Sequence, residues 1–172
     1  MMLKKIYLFA FFCIAISTNA QNVQEIIAGL KNDLKANPNT KQTATIYSDL
    51  TWYYSNVSID SALVYGDKAI KTALILGDSV AIAQAYGDVS TVYLKKGDYN
   101  ESLKYLNKVL VIRKARKDII GLAKVYSGIG LLYYNQNKYD LSMKNYLLAL
   151  EYVNKTDDEK VENLVKSVDG LK

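Results

Sequence analysis

The strongest constraint on the fold is an internal repeat of 40 residues. The segments GDYNESLKYLNKVL (97–110) and NKYDLSMKNYLLAL (137–150) carry Tyr, Ser, Lys and Leu at matched places, and VSIDSALVYGDKAI (57–70) keeps the apolar and small positions. The upstream segments IYSDLTWYYSNV (46–57), YGDVSTVYLKKG (86–97) and YSGIGLLYYNQN (126–137) follow the same register. A constant spacing of this length is typical of a solenoid, whose repeats pack only on their neighbours.

Each repeat is predicted to contain two helices. In the upstream half, apolar residues recur on one helical face, as at Ile46, Leu50, Tyr53 and Tyr54. The downstream half shows the same period at Leu103, Leu106, Val109 and Leu110. Small residues recur early in each second helix, at Ala62, Ser102 and Ser142, which predicts close helix–helix approach.

Aspartates recur at the predicted helix starts. Asp78, Asp118 and Asp158 occupy one column, where a side-chain oxygen can accept orphan backbone N–H groups and contribute about 1 kcal/mol each. Asp98, with Glu101 three residues later, is similar to a capping box. These residues predict where the second helix of one unit and the first helix of the next begin.

The sequence resembles tetratricopeptide repeats (TPR). The positions that match the family pattern best are Tyr126, Ile129, Gly130, Tyr133, Tyr139, Ser142, Tyr146 and Ala149. The unit has 40 residues instead of about 34, and no proline closes the second helix, because the only proline is Pro38. Long units of this kind resemble those at the front of bacterial sensor and regulator proteins.

The resemblance implies an all-α, right-handed superhelical solenoid of antiparallel helix pairs. Its units are predicted at about 43–82, 83–122 and 123–162, with a partial fourth at 163–172, in a solenoid spanning 41–172. Residues 21–40 are predicted to form a capping helix and turn, whose apolar face is Val23, Ile26, Ile27, Leu30 and Leu34. Because the chain ends inside a repeat, the sequence is interpreted as a truncated product or a fragment of a longer protein.

The N-terminal segment 1–20 has the features of a signal peptide. Lys4 and Lys5 precede an apolar run of 11 residues, which is too short for the roughly 20 needed to span a bilayer, and cleavage is expected after Ala20. A short uncleaved anchor is the alternative. The mature segment 21–172 is thus predicted to be exported to the periplasm or cell envelope, or secreted, without stable membrane insertion, and without the only cysteine, Cys13.

The composition argues against an enzyme. The chain has no histidine, which excludes His-based acid–base catalysis, His-dependent triads and His metal ligands. The nine glycines form no phosphate-binding loop. We therefore predict no catalytic, cofactor-binding or metal-binding residues and no cofactor.

Fifteen tyrosines are conspicuous. A stacking platform for bases or sugars is one interpretation. The interpretation favoured by the repeat columns is that tyrosines fill the seams between helices. It applies to Tyr53, Tyr93, Tyr133, Tyr99 and Tyr139.

In TPR proteins one face of each first helix lines a concave groove for extended peptides, and the resemblance implies a candidate peptide groove here. The corresponding residues are Tyr47, Thr51, Tyr54, Ser55, Gln84, Thr91, Leu94, Lys95, Lys124, Ser127, Leu131, Tyr134 and Asn135. They lack the Lys/Asn pairs with which some relatives hold a C-terminal carboxylate. A solvated face without a ligand of its own is the alternative.

The densest basic cluster, RKARKD at 113–118, suggests either nucleic-acid contact or cations placed at a helix C-terminus, and the second interpretation is preferred. The predicted function is non-catalytic binding of a protein or peptide, with no nucleic-acid partner. The chain would be the sensory or interaction region of a longer signalling protein, or else a free-standing periplasmic adaptor. A carbohydrate- or lipid-binding module is a more distant alternative, and the sequence determines neither the partner, the regulation nor the oligomeric state.

Overall fold

The computed structural model describes residues 22–36 and 41–169, with side chains described up to 155. The predicted signal peptide at 1–20, Pro38 and the last three residues of the partial fourth unit, 170–172, lie outside these residues. The helices are α1 (22–36), α2 (Lys41–Tyr54), α3 (Ile59–Leu76), α4 (Ser79–Lys96), α5 (Tyr99–Ala115), α6 (Ile119–Asn135) and α7 (Tyr139–Asp169). No strand occurs in these two ranges, and the predicted all-α fold is confirmed.

The helices pack as successive antiparallel pairs. The most extensive contacts join α2 with α3, α4 with α5, and α6 with α7, and α3–α4 and α5–α6 contacts link one pair to the next. The first helices of the first two pairs, α2 and α4, also touch side by side. Contacts limited to near neighbours along the chain define a solenoid.

Asp78 and Asp118 cap first helices as predicted. Asp78 Oδ1 accepts from the backbone N–H groups of Val80 and Ala81, at 2.9 and 3.2 Å, and Asp118 Oδ1 accepts from Gly121 N at 2.7 Å. Each cap satisfies donors that the first helical turn leaves without a partner.

Asp98 caps α5 in the same way, accepting from Glu101 N at 3.2 Å. The prediction for Asp158 was wrong, because α7 continues through this position to Asp169. An aspartate therefore marks a helix start only where the preceding residues also form a turn.

The turns preserve their backbone conformation across repeats even where the residue changes. Gly77 and Lys117 share one column and have φ of 64° and 52°. Gly97 and Asn137 share another, with φ of 81° and 57°. Because left-handed backbone is unfavourable for lysine, the repeat geometry and not the local sequence imposes it at Lys117.

The small residues at the start of each second helix are buried, as predicted. Ala62 and Ser102 are fully buried and Ser142 nearly so. The Ser90 hydroxyl of α4 donates to the Ser102 carbonyl of α5 at 3.1 Å, which joins the two helices of the middle pair. A larger side chain at these positions would separate the paired backbones.

The apolar core lies between the pairs. Leu106 and Val109 of α5 pack with Val125, Ile129 and Leu132 of α6. At the other end, Val23, Ile27, Leu30 and Leu34 of α1 pack on a cluster formed with Ile46 and Leu50 of α2. Helix α1 thus covers the apolar face of the first pair.

The seam interpretation of the tyrosines is confirmed for four of the five residues. Tyr53, Tyr99 and Tyr133 are half-buried against the core clusters, and Tyr93 stacks on Tyr105 with ring centroids 5.6 Å apart. Tyr139 was wrongly predicted, because its side chain is 58% exposed.

The exposure of Tyr139 reflects its position on α7. Its counterpart in the preceding repeat, Tyr99, is covered by α6, and the Tyr99 hydroxyl donates to the Asn135 carbonyl at 3.4 Å. Within the described residues no helix covers the same face of α7, where Met143 and Leu150 are also exposed.

A close helix approach gives a first testable prediction. A Cβ added at Gly66 of α3 would collide with Cγ2 of Val89 on α4, whereas one added at Gly87 of α4 meets open space. Because valine is stiff at χ1, Gly66→Ala is expected to destabilise the fold by about 1–3 kcal/mol. Gly87→Ala, the matched control, is expected to stabilise by about 0.5–1 kcal/mol through helix propensity. Urea denaturation of both variants is the measurement, and a Gly66→Ala variant as stable as Gly87→Ala would contradict the packing of α3 on α4.

Candidate functional site

A cleft of about 540 Å³ lies between α2 and α4. These are the first helices of two successive pairs, which face each other directly without an intervening second helix. The polar and aromatic residues that line the cleft are Lys41, Thr45, Ser48, Asp49, Trp52, Asp78, Gln84 and Asp88. Together they form what we call the α2/α4 cleft.

In the first repeat the predicted groove residues do not line the α2/α4 cleft. Thr51 is fully buried and its hydroxyl donates to the Tyr47 carbonyl at 2.8 Å, so its inclusion in a ligand-contacting groove was wrong. Ser55 is also buried and donates to the Trp52 carbonyl at 2.7 Å.

Tyr47 and Tyr54 are half-buried against Tyr65 of α3, with ring centroids 6.2 and 5.2 Å from it. Both also pack on the cluster that α1 covers. They therefore contribute to the interface between the first pair and α1.

In the second repeat one of the predicted groove residues lines the cleft and the others lie outside it. Gln84 lines the α2/α4 cleft. Thr91 is half-buried and donates to the Gly87 carbonyl, and Leu94 packs on the apolar core. Lys95 is exposed and reaches back to the first repeat.

In the third repeat most of the predicted residues lie on the surface of α6. Lys124, Leu131, Tyr134 and Asn135 are exposed, and Ser127 is half-buried. The Tyr134 ring makes an edge contact with Tyr139, at a centroid distance of 5.8 Å. These side chains are available to a partner, but they do not line the α2/α4 cleft.

Sequence reasoning missed Asp49, Trp52 and Asp88. Asp49 shares its column with Val89 and Ile129, and Trp52 shares its column with Val92 and Leu132, all four of which are buried. The columns therefore predict core at both positions. The signal that could have revealed the cleft is the substitution of a carboxylate and a tryptophan for these apolar residues in the first repeat alone.

Asp88 is the most perturbed titratable group of the cleft. Burial raises the pKa of its carboxyl to about 6, and the neighbouring Asp49 carboxylate acts in the same direction, whereas the polar side chains of Ser48 and Gln84 oppose the shift. Gln84 Nε2 donates to Asp88 Oδ1 at 2.8 Å. The second oxygen, Oδ2, is buried without a hydrogen-bond partner among the described residues. A half-satisfied carboxylate is costly to bury, which makes Asp88 a candidate functional residue.

The indole of Trp52 is 52% exposed and already contacts one cation. Lys95 Nζ lies 5.3 Å from the ring centroid, and the same ammonium donates to Ser55 Oγ and Asn56 Oδ1, at 2.7 Å each. The negative face of an indole attracts ammonium and guanidinium groups, so this contact shows the kind of group that the ring accepts.

Asp78 caps α4 and also lines the α2/α4 cleft. Its Oδ2 pairs with Lys41 Nζ at 2.9 Å. The hydrogen bond from Lys41 and the backbone donors of Ala81 and Val80 lower the pKa of Asp78. The Lys41 ammonium is thus occupied by Asp78, and Asp49 and Asp88 remain without a basic partner in the described part of the chain.

The basic cluster at 113–118 is part of the scaffold. Arg113 and Lys114 lie in the last turn of α5, where cations are favoured by the helix dipole. Arg113 pairs with Asp118, and Arg116 donates to Ser79 Oγ at 2.8 Å. The first contact ties the end of the second pair to the start of the third, and the second contact joins the end of α5 to the start of α4 within the second pair.

The described residues hold neither a metal-binding cluster nor a membrane-spanning helix. No group of three or more potential metal-ligating side chains occurs among them. None of the helices within the described ranges combines the length and apolar character required to cross a membrane.

The stacked helix pairs, the capped turns and the matched columns define a helical-repeat solenoid of the TPR class. The sequence profile described as the SusR N-terminal TPR domain matches residues 17–167, and the chain belongs to this family. The family comes from bacterial envelope-associated proteins, and TPR domains are in general non-catalytic scaffolds for protein–protein interaction.

A solved TPR structure supports the fold assignment. The TPR domain of Arabidopsis FLU is similar, with a TM-score of 0.60 and 20% sequence identity over 67% of this chain and 98% of that one. MamA aligns with a TM-score of 0.39 and 19% identity over 82% of this chain and 94% of that one. No curated protein matches the sequence significantly.

Proposed function

We propose that the protein is a non-catalytic scaffold that binds a protein or peptide partner along the face formed by α2, α4 and α6. The observation that carries the proposal is the α2/α4 cleft, a concavity of about 540 Å³ that leaves Trp52 half exposed on a repeat scaffold. A concave surface with an exposed aromatic anchor is a common form of peptide-binding site. Gln84 and Lys95 connect the cleft to the predicted groove, whose columns continue on α6 at Lys124, Leu131 and Tyr134.

We further propose that the protein is exported and forms the sensory or interaction region of a longer signalling protein. Membership in a family of N-terminal TPR domains from envelope-associated proteins supports this proposal. The exposed apolar face of α7 also supports it. Met143 and Leu150 lie on this face, whereas the residues in the same columns of the preceding repeat, on α5, are covered by α6.

Site-specific photo-cross-linking in intact cells tests the binding face. A photoreactive phenylalanine analogue replaces either Tyr134 on α6 or, as a control, Val111, a 68% exposed residue of α5. Adducts isolated from the envelope fraction are expected at position 134 and not at 111, and Leu131→Ala is expected to weaken them. Identical adducts at both positions, or adducts at 111 alone, would exclude the proposed face.

A further inference from the structure

The α2/α4 cleft is an acidic site on a basic protein. The chain carries a formal charge of +5, yet the cleft is lined by three aspartates and one lysine. Lys41 is paired with Asp78, which leaves the charges of Asp49 and Asp88 uncompensated within the described residues. The two carboxylates are close enough for the charge of Asp49 to raise the pKa of Asp88.

Trp52 lines the same cleft, so an aromatic face and two carboxylates converge on one volume. The carboxylates provide acceptors, and the indole provides a flat surface that attracts cations. An apolar ligand would leave these carboxylates desolvated, and an anionic ligand would be repelled. The combination selects a cation with both a flat face and several N–H donors.

We propose that the α2/α4 cleft binds an arginine side chain of the protein partner, with the guanidinium stacked on Trp52 and hydrogen-bonded to Asp49 and Asp88. This inference rests on the proposed function and names the chemistry recognised at its centre. A guanidinium is planar, permanently charged and carries five donors, and it matches both the ring and the carboxylates. A lysine ammonium matches the carboxylates and can approach an indole, as Lys95 does here, but it has no planar face to stack on the ring. A divalent metal ion fits less well, because no three potential ligands among the described residues, these aspartates included, are placed so that they could hold one.

The buried second oxygen of the half-buried Asp88 carboxylate supports this assignment. Its Oδ2 has no hydrogen-bond partner in the described residues, and it belongs to a side chain that lines the cleft. Because this oxygen is buried, the carboxyl group would have to turn toward the cleft to accept from an incoming N–H donor. Ligand binding would then satisfy an acceptor that the free protein leaves unsatisfied.

Fluorescence of the single tryptophan provides a direct test, because Trp52 is the only tryptophan in the chain. The purified protein is titrated into the millimolar range with a terminally blocked Gly/Ser peptide that contains one central arginine. The matched probe replaces arginine by citrulline, which has nearly the same shape and no charge. We expect a saturable change in indole emission with the arginine peptide, and at least about tenfold weaker binding of the citrulline peptide.

Substitutions of the two aspartates test which carboxylates bind the guanidinium group. Asp49→Asn and Asp88→Asn are each expected to weaken binding of the arginine peptide by about tenfold or more. Asp67→Asn is the control, because it removes the same charge from the exposed surface of α3, outside the cleft. Thermal melts of all three variants verify that they remain folded.

The outcomes separate this inference from the proposed function. Equal affinity for the arginine and citrulline peptides, or no emission change with either, overturns the arginine site. So does an unchanged affinity in both Asp49→Asn and Asp88→Asn. In each of these cases, position-specific cross-links at 134 would still support a protein-binding face. Loss of those cross-links with an intact arginine response would instead overturn the proposed face.

Discussion

Replacing Leu132 by alanine is expected to lower the free energy of unfolding by about 2–5 kcal/mol. The Leu132 side chain is fully buried and packs in the cluster that joins α5 to α6. Truncation removes buried apolar surface and leaves a cavity that the surrounding helices can only partly fill. Because repeats contact only their neighbours, the loss also weakens the coupling between the second and third pairs. Urea denaturation followed by far-UV circular dichroism measures the effect.

The adjacent residue supplies a matched control. Leu131 lies on the same helix, is 44% exposed, and undergoes the same chemical change to alanine. We expect Leu131→Ala to change the stability by no more than about 0.5 kcal/mol. Equal losses in the two variants would mean that α6 does not present Leu132 to the core.

Replacing Asp88 by asparagine is expected to stabilise the protein at neutral pH by up to about 3 kcal/mol. The pKa of Asp88 rises from an ordinary value of 3.8 to about 6 in the folded protein, mainly because the carboxyl group is buried. Ionisation therefore costs more free energy in the folded than in the unfolded state. Asparagine keeps an oxygen for the hydrogen bond from Gln84 and carries no charge.

The sign of the pH dependence follows from this shift. Below pH 3.8 Asp88 is protonated in both states and imposes no electrostatic cost. Between pH 3.8 and about 6 the folded state holds the proton more tightly, so the contribution of Asp88 to stability falls as the pH rises. Above this range the cost is constant. The advantage of Asp88→Asn should therefore grow from nearly zero to its full value across this window.

Denaturation of wild type and variant at several pH values measures the difference in their free energies of unfolding. The contributions of the other titrating groups largely cancel in this difference. Asp67→Asn, at an exposed site, is expected to show no comparable trend. An advantage of Asp88→Asn that is independent of pH would show that the carboxyl group is not desolvated in the folded protein. If Asp88→Asn stabilises the protein, Asp88 lowers stability in the free protein, which is expected of a residue that serves binding.

Much of the fold was predictable because its signals are local. The helical period of the apolar residues and the aspartate caps at Asp78, Asp98 and Asp118 depend on residues within one or two turns of each other, and the 40-residue spacing repeats these local signals along the chain. The same local reasoning failed at Asp158, since a capping residue without a preceding turn does not interrupt a helix. It also failed at Tyr139, whose burial would require a neighbouring helix.

The candidate site was less predictable. The family pattern assigns groove residues to the same positions in every repeat and therefore does not register differences between repeats. Thr51 satisfies the pattern but is buried, whereas Trp52 occupies an apolar column and is exposed. The first repeat also differs from the other two in that α1, and not a preceding helix pair, covers its outer face. No property of an isolated repeat contains this information.

The sequence by itself determined the helix-pair architecture, the turns and the buried columns, because hydrophobic period and capping act over short distances. Only the tertiary structure decided that Asp49, Trp52 and Asp88 share one cleft. Their convergence depends on the lateral packing of α2 against α4, whose residues are separated in sequence by the whole of α3. The same packing withdraws water from Asp88, and burial in a folded interior, not sequence, sets the pKa of a carboxyl group.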